Sequence, residues 1–386
     1  MSETTATTKV EIPVAFGKEG PYLPVVLDTI LRLRKTKGMT LYFRGEWKEH
    51  EYVIPSLYRT GNSNIVLNGS ESYYRKLFIE LGKDDYDGST SLVRSISEFR
   101  HFGAITRIID VSKNPLTALY FAAEGADDED GYMYVFASDS QNLYKYEKTK
   151  KEKYDTGHTI AIKTALNLMP QIEIDDFLSG CEAFIRIYSK IIYNNMHGSI
   201  SKNKITLHAH NELSRMTLDE VIKQSQIMLE FNLKEPQWKE DQFVLKNAQR
   251  DIKIFMQLLN QRARVREELI YPLHIYFDLC RAHLFISSMN TTRISRQRGA
   301  FIFPAYVKTH ENGRAKDIRK IQEEIQASIF EFLYPDECGN TIRIPSRIKS
   351  ELRNELHLLG IDGGFLYADI QHKSDALLSE FRQENN

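Results

Sequence analysis

Paired cysteines, net charge and long apolar runs are all missing from this 386-residue chain. Its three cysteines, Cys181, Cys280 and Cys338, are far apart and without CxxC spacing, which excludes a disulfide framework or a zinc cluster as the organising feature. Reduced thiols in a cytoplasmic protein are the expectation. Fifty-one basic residues stand against fifty-two acidic ones, a net charge of -1, so the chain has no global field of the kind used by non-specific nucleic-acid binders. Any anion site has to be local. The most apolar window, "ELIYPLHIYFDLCRAHLFI", is interrupted by Pro272, Asp278 and Arg281 and reads as core, not as a membrane span. The opening "MSETTATTKVEIPV" has neither the basic nor the apolar region of a signal peptide, and residues 1–19 are expected to be a short disordered lead.

What the chain does have is alternating helix and strand signals. "LPVVLDTILRLRK" carries helical spacing at Val26, Ile30 and Leu33 and precedes the strand "MTLYFRG"; "ESYYRKLFIEL" and "GSTSLVRSISEFRHFG" read as two further helices. In "AITRIIDVS" the alternation predicts a strand, with Ile105, Arg107 and Ile109 on one face and Thr106, Ile108 and Asp110 on the other. Asn114 and Pro115 then form a helix start, cap and first position, ahead of "LTALYFAAE". The acidic run "GADDEDG" lacks the calcium-loop pattern and reads as a solvated turn before the strand "YMYVFAS". Residues 140–265 change to Lys, Asn, Gln and Ile with helical runs and a capping box at Thr217 and Glu220, as expected of a mainly helical insertion. His208, His210 and Glu212 would share one face of a strand, but no second cluster accompanies them and no metal site is expected. "LIYPLHIYF" and "GAFIFPAYV" read as strands, followed by helices from Ala315 to about Leu333 and over "SRIKSELRNELHLLG". The class this implies is α+β: residues 20–139 and 266–386 build one mixed sheet core with C-terminal helices, and the insertion is replaceable by a linker, since loop closure costs little extra with length.

The chemistry-bearing residues gather around these strand ends. Arg44 and Gly45 end one strand, Arg59 follows "VIPSLY", His101, Thr106, Arg107 and Asp110 surround the next, and Gln297, Arg298 and Gly299 precede a late one. With the Asn114 helix start they suit a phosphate, because free backbone N–H groups and guanidinium forks can meet one anion without a basic protein. The same residues also suit an internal Arg107–Asp110 or Arg44–Asp110 ion-pair network that only staples the core.

"YFRGEW", "VIPSLYR", "RHFGAITRIIDVSKNPLTALYFAA", "DGYMYVF" and "RISRQRGAFIF" together resemble the FRG domain, a bacterial family typified by "HxGxPTRLLDWTxNPLxALYFA". Val111 stands where that pattern has tryptophan and Ile105 where it has proline. A further similarity, of "YFRG" and "LYFAAE", is to ADP-ribosyltransferases, and it implies an ADP-ribosyltransferase-like core binding NAD or a related phosphorylated nucleotide. In such a site Arg44, Gly45, Arg59, His101, Thr106, Arg107, Asn114 and Tyr120 are the residues expected to hold the cofactor, and Gln297, Asp110 and Glu98 are the catalytic candidates. Such a protein would be a mono-ADP-ribosyltransferase-like toxin or effector in bacterial conflict or phage defence, acting on a protein or nucleic-acid target. Gln297 carries no negative charge to stabilise an oxocarbenium-like state, so the alternatives remain a non-catalytic nucleotide sensor, a nucleic-acid-binding module or a scaffold.

Overall fold

The computed structural model describes residues 8–33, 39–81, 92–101, 103–138, 143–145, 157–195, 212–233, 238–263, 265–286, 292–311, 313–334, 339–367, 371–374 and 377–378. Helix and strand are mixed, in keeping with the α+β class. Among the described residues seven strands form one sheet: β1 (Thr40–Glu46), β2 (Ile109–Ser112), β3 (Gly131–Ser138), β4 (Leu143–Lys145), β5 (His283–Ile286), β6 (Gly299–Phe303) and β9 (Thr341–Ile344), with β7 (His310–Glu311) and β8 (Arg314–Ala315) as a separate hairpin. The order is β4-β5-β6-β2-β1-β3-β9, and every neighbour pair is antiparallel except β4 with β5. β6 therefore lies beside β2, with Ile109 opposite Ile302 and Ser112 opposite Gly299.

β3 shows why the sheet sits at the centre. All eight of its residues are buried. Met133, Val135 and Ala137 pack with the helices Leu23–Arg32, Pro115–Ala123 and Ser346–Leu358, whereas Tyr132, Tyr134 and Phe136 pack with the helix Ile318–Phe330. A strand covered on both faces needs apolar residues at every position, which is the pattern "YMYVFA". Ile12 is also buried, and its N–H donates to the Thr341 carbonyl at 2.7 Å, so the described part of the segment read as a disordered lead packs beside β9.

A second core is helical. The long helices Gln171–Asn195 and Lys239–Arg262 pair along their length, with Phe177 and Phe255 stacked at 3.7 Å. The insertion does not build this core alone: Tyr74, Phe78 and Phe99, ahead of it in sequence, and Leu273, Ile275 and Leu279, after it, are buried in the same cluster. The capping box forms as expected, with the Thr217 side chain accepting from Glu220 N–H and the Glu220 side chain accepting from Thr217 N–H. His208 and His210 lie outside the described residues; among the described residues no metal-ligand cluster occurs, and no helix is long and apolar enough to cross a membrane.

Two expected strands are corrected. "LIYPLHIYF" contains the helix Pro272–Leu279, because Pro272 occupies its first turn and Leu273, Ile275 and Leu279 turn into the helical core. β2 begins only at Ile109, since residues 104–108 bond elsewhere: Thr106 N–H donates to Ser56 Oγ at 3.0 Å and Leu57 N–H to Thr106 O at 3.1 Å. The alternation around Arg107 is thus not a strand pleat.

Candidate functional site

β1 and β2 lie side by side in the sheet yet are paired only at Phe43 and Ser112. Beyond that pair the ladder stops, and a cleft of about 370 Å³ is lined by residues of both strands. β1 supplies Arg44 and Glu46 to its walls, the turn after it Trp47, β2 supplies Asp110, and the helix Leu92–His101 supplies Arg100. The helix Pro115–Ala123 contributes Thr117 and Phe121, followed by Glu124, while Arg293 and Gln297 come from the helix Thr292–Gln297.

The Arg-Gly pair at the end of β1 divides its labour by strand alternation. Gly45 faces the helix Pro115–Ala123 so closely that an added Cβ would stand 1.8 Å from the Ala118 carbonyl oxygen and 2.6 Å from the Ala122 nitrogen. Only glycine permits this approach of helix to strand. Arg44 points to the other face, where its Nε donates to Glu46 Oε1 at 2.8 Å and its guanidinium to the Asp110 backbone carbonyl at 2.7 Å. This second bond runs from β1 to β2 and occupies the Asp110 carbonyl.

Three carboxyl groups face the cleft, in two kinds of environment. Glu46 is held by Arg44 at 2.6 Å, and the Asp110 carboxylate by Arg100 at 2.7 Å. Burial raises the Asp110 pKa, but Arg100 and Arg44 outweigh it and hold the group below the ordinary aspartate value. Glu124 differs. Its oxygens accept from the Tyr367 hydroxyl at 3.1 and 3.3 Å, and it makes no ion pair among the described residues. Burial pushes its pKa above the usual glutamate value, against the opposing influence of Tyr367, His372, Tyr120 and Arg293. Thr117 adds a buried hydroxyl whose Oγ1 has no hydrogen-bond partner among the described residues. Trp47 completes one wall, seated so tightly on Gly125 that a Cβ there would come within 2.8 Å of the indole.

Arg44, Gly45, Asp110 and Gln297 are brought together at the cleft. Exposed Arg59 lies within the electrostatic reach of Glu46, Arg44 and Arg100. Tyr120 is not in the cleft lining; burial raises its pKa, and neighbouring Glu124 raises it further. Arg107 goes elsewhere: it is buried, with its guanidinium donating to Tyr58 Oη at 2.8 Å, Asn167 Oδ1 at 3.1 Å and Ser70 Oγ at 3.4 Å. Thr106 is buried beside Ser56 and Ile108, and the Asn114 side chain caps its own helix by accepting from Leu116 N–H at 3.1 Å. Gln297 uses its amide to hold the Leu366 carbonyl at 3.2 Å. The side chains of Glu98 and His101 lie outside the described residues. Sequence reasoning missed Glu46, Trp47, Arg100, Thr117, Glu124 and Arg293. Helical spacing contained a signal for one pair, since Thr117 and Glu124 are seven residues apart and so share a face with Phe121.

No curated protein and no solved structure matches the chain. Residues 39–131, which include β1, β2 and the helix carrying Thr117 and Phe121, match the family model of the FRG domain, so the chain carries an FRG domain and this domain forms most of the cleft.

Proposed function

We propose that the cleft binds NAD or a related phosphorylated nucleotide, and that the surrounding core is ADP-ribosyltransferase-like. The observation that carries this reading is the concentration of Arg44, Arg100 and Arg293 in one recess walled by Trp47, Phe43 and Phe121. Guanidinium groups suit a diphosphate, aromatic faces suit a base, and the volume lies at the small end of ligand clefts. An incoming phosphate would share Arg100 with Asp110. The wider reading, an effector in bacterial conflict or phage defence, follows from the resemblance to the FRG and ADP-ribosyltransferase families and has its support there.

A second reading, binding without turnover, is favoured by the engagement of two catalytic candidates. Gln297 already holds Leu366 and Asp110 already holds Arg100. Thermal unfolding with NAD, ATP, short RNA or short DNA separates nucleotide from polymer, because a ligand of the folded state raises apparent stability with the logarithm of its concentration. NAD is expected to stabilise the protein. Arg44→Ala is expected to weaken NAD by about tenfold to a hundredfold, the range for a hydrogen bond to a charged group. Release of nicotinamide from labelled NAD, with and without lysate as acceptor, decides between enzyme and sensor. Stabilisation by RNA or DNA alone would remove NAD from the account.

A further inference from the structure

We propose that Glu124 and Thr117 form a second recognition point in the cleft, binding hydroxyl groups of a sugar whose phosphate is held at the arginine end. The site would then select a phosphorylated sugar over phosphate alone. This rests on reading the cleft as a phosphate site.

The inference comes from the division of charge within one recess. Glu46 and Asp110 are matched to Arg44 and Arg100, so their end of the cleft is a set of paired charges with guanidinium donors to share. Glu124 is matched to a neutral donor, the Tyr367 hydroxyl. Tyr367 is itself fixed: its ring meets Phe121 edge-on at 5.9 Å, stacks on His372 at 4.1 Å and lies under the Arg293 guanidinium at 4.8 Å. Among the described residues the carboxyl group is therefore held in place without an ion pair, and it is half-buried. A second anion would be repelled there. A hydroxyl group, donating to the carboxylate, is the complementary partner.

Thr117 stands on the same helix face, seven residues earlier, with Phe121 between them. A threonine hydroxyl in a helix normally donates to a carbonyl of the preceding turn, but the Thr117 Oγ1 has no partner among the described residues although Thr117 is only 1% exposed. An unpaired buried hydroxyl is unfavourable until something reaches it. Glu124 and Phe121 line the cleft together with Arg44 and Arg100, and the Thr117 hydroxyl, itself buried, is the third group a sugar hydroxyl would meet once that side chain turns toward it.

The test is calorimetric titration of the intact protein with pyrophosphate and with ADP-ribose, in wild type, Glu124→Gln and Thr117→Val. ADP-ribose is expected to bind wild type more tightly than pyrophosphate. Either substitution should weaken ADP-ribose by about tenfold or more, the loss of one hydrogen bond to a buried partner, while neither should weaken pyrophosphate, and Glu124→Gln, which removes a repelling charge, should if anything tighten it. Thr117→Val should also raise the melting temperature while lowering ADP-ribose affinity, opposite signs that a merely structural role would not produce. Equal losses for both ligands, or unchanged ADP-ribose binding in both variants, would overturn the inference while leaving the cleft as an anion site. Failure of wild type to bind either ligand would overturn the phosphate reading and this inference with it.

Discussion

Arg107 shows how little an arginine's neighbours in sequence say about its task. It sits three residues from Asp110, yet the Asp110 carboxylate belongs to Arg100, and Arg107 enters a nest of hydroxyl and amide oxygens beneath the Tyr306 ring. A buried guanidinium without a carboxylate keeps its charge only if several oriented oxygens replace water, and Tyr58, Asn167 and Ser70 do so. Arg107→Met leaves those oxygens behind with nothing to bind. It should cost about 3 kcal/mol, the order expected for charge-assisted hydrogen bonds lost in a buried site, and move the urea midpoint accordingly. Pyrophosphate affinity of the folded protein should not change. A stable variant that no longer binds would return Arg107 to the ligand.

At the scale of elements, contact between β1 and the helix Pro115–Ala123 decides the cleft's shape. Gly45 and Gly131 both lie under this helix, each with a backbone carbonyl oxygen 1.8 Å from the place a Cβ would take. Gly45→Ala therefore has to push the helix off the sheet, and with it Thr117 and Phe121. The expected loss exceeds the about 1–3 kcal/mol usual for an added methyl group in a packed core, because the obstacle is backbone and cannot rotate away. Gly103→Ala is the contrast: φ is +88° there but nothing lies within 4 Å, so only the left-handed strain of about 1–2 kcal/mol is expected. Comparing the two melting temperatures checks the account; equal losses would mean that space under the helix is not the constraint.

For the whole molecule, the shared helical core changes what the insertion means. Tyr74, Phe78 and Phe99 precede the insertion yet are at most 2% exposed, covered by residues within it such as Phe177 and Phe255. Replacing residues 146–265 by a flexible linker closes the loop at little entropic cost but uncovers that apolar surface. The shortened chain is expected to lose its cooperative thermal transition and to bind a hydrophobic dye. A sharp transition near that of the full chain would show that the sheet core stands alone.

Local chemistry was legible without the fold: the Asn114 and Pro115 helix start, the Thr217 capping box and the apolar strands β1 and β3 all rest on residues within a few positions of one another. The family resemblance was legible too, because its motifs are contiguous. The sequence by itself therefore determined which segments are helix or strand in most places and which residues carry charge to strand ends. Pro272 defeated the pattern because a short apolar run suits a buried helix as well as a strand, and the helical core chose between them. Only the tertiary structure decided that β6 lies beside β2, that the ladder of β1 and β2 stops after one residue pair, that Arg100 rather than Arg44 takes the Asp110 carboxylate, and that Glu124 stands in the cleft with a tyrosine for company. Those outcomes depend on which oxygens and ring faces remain when distant segments meet, and residue spacing along the chain holds no record of that.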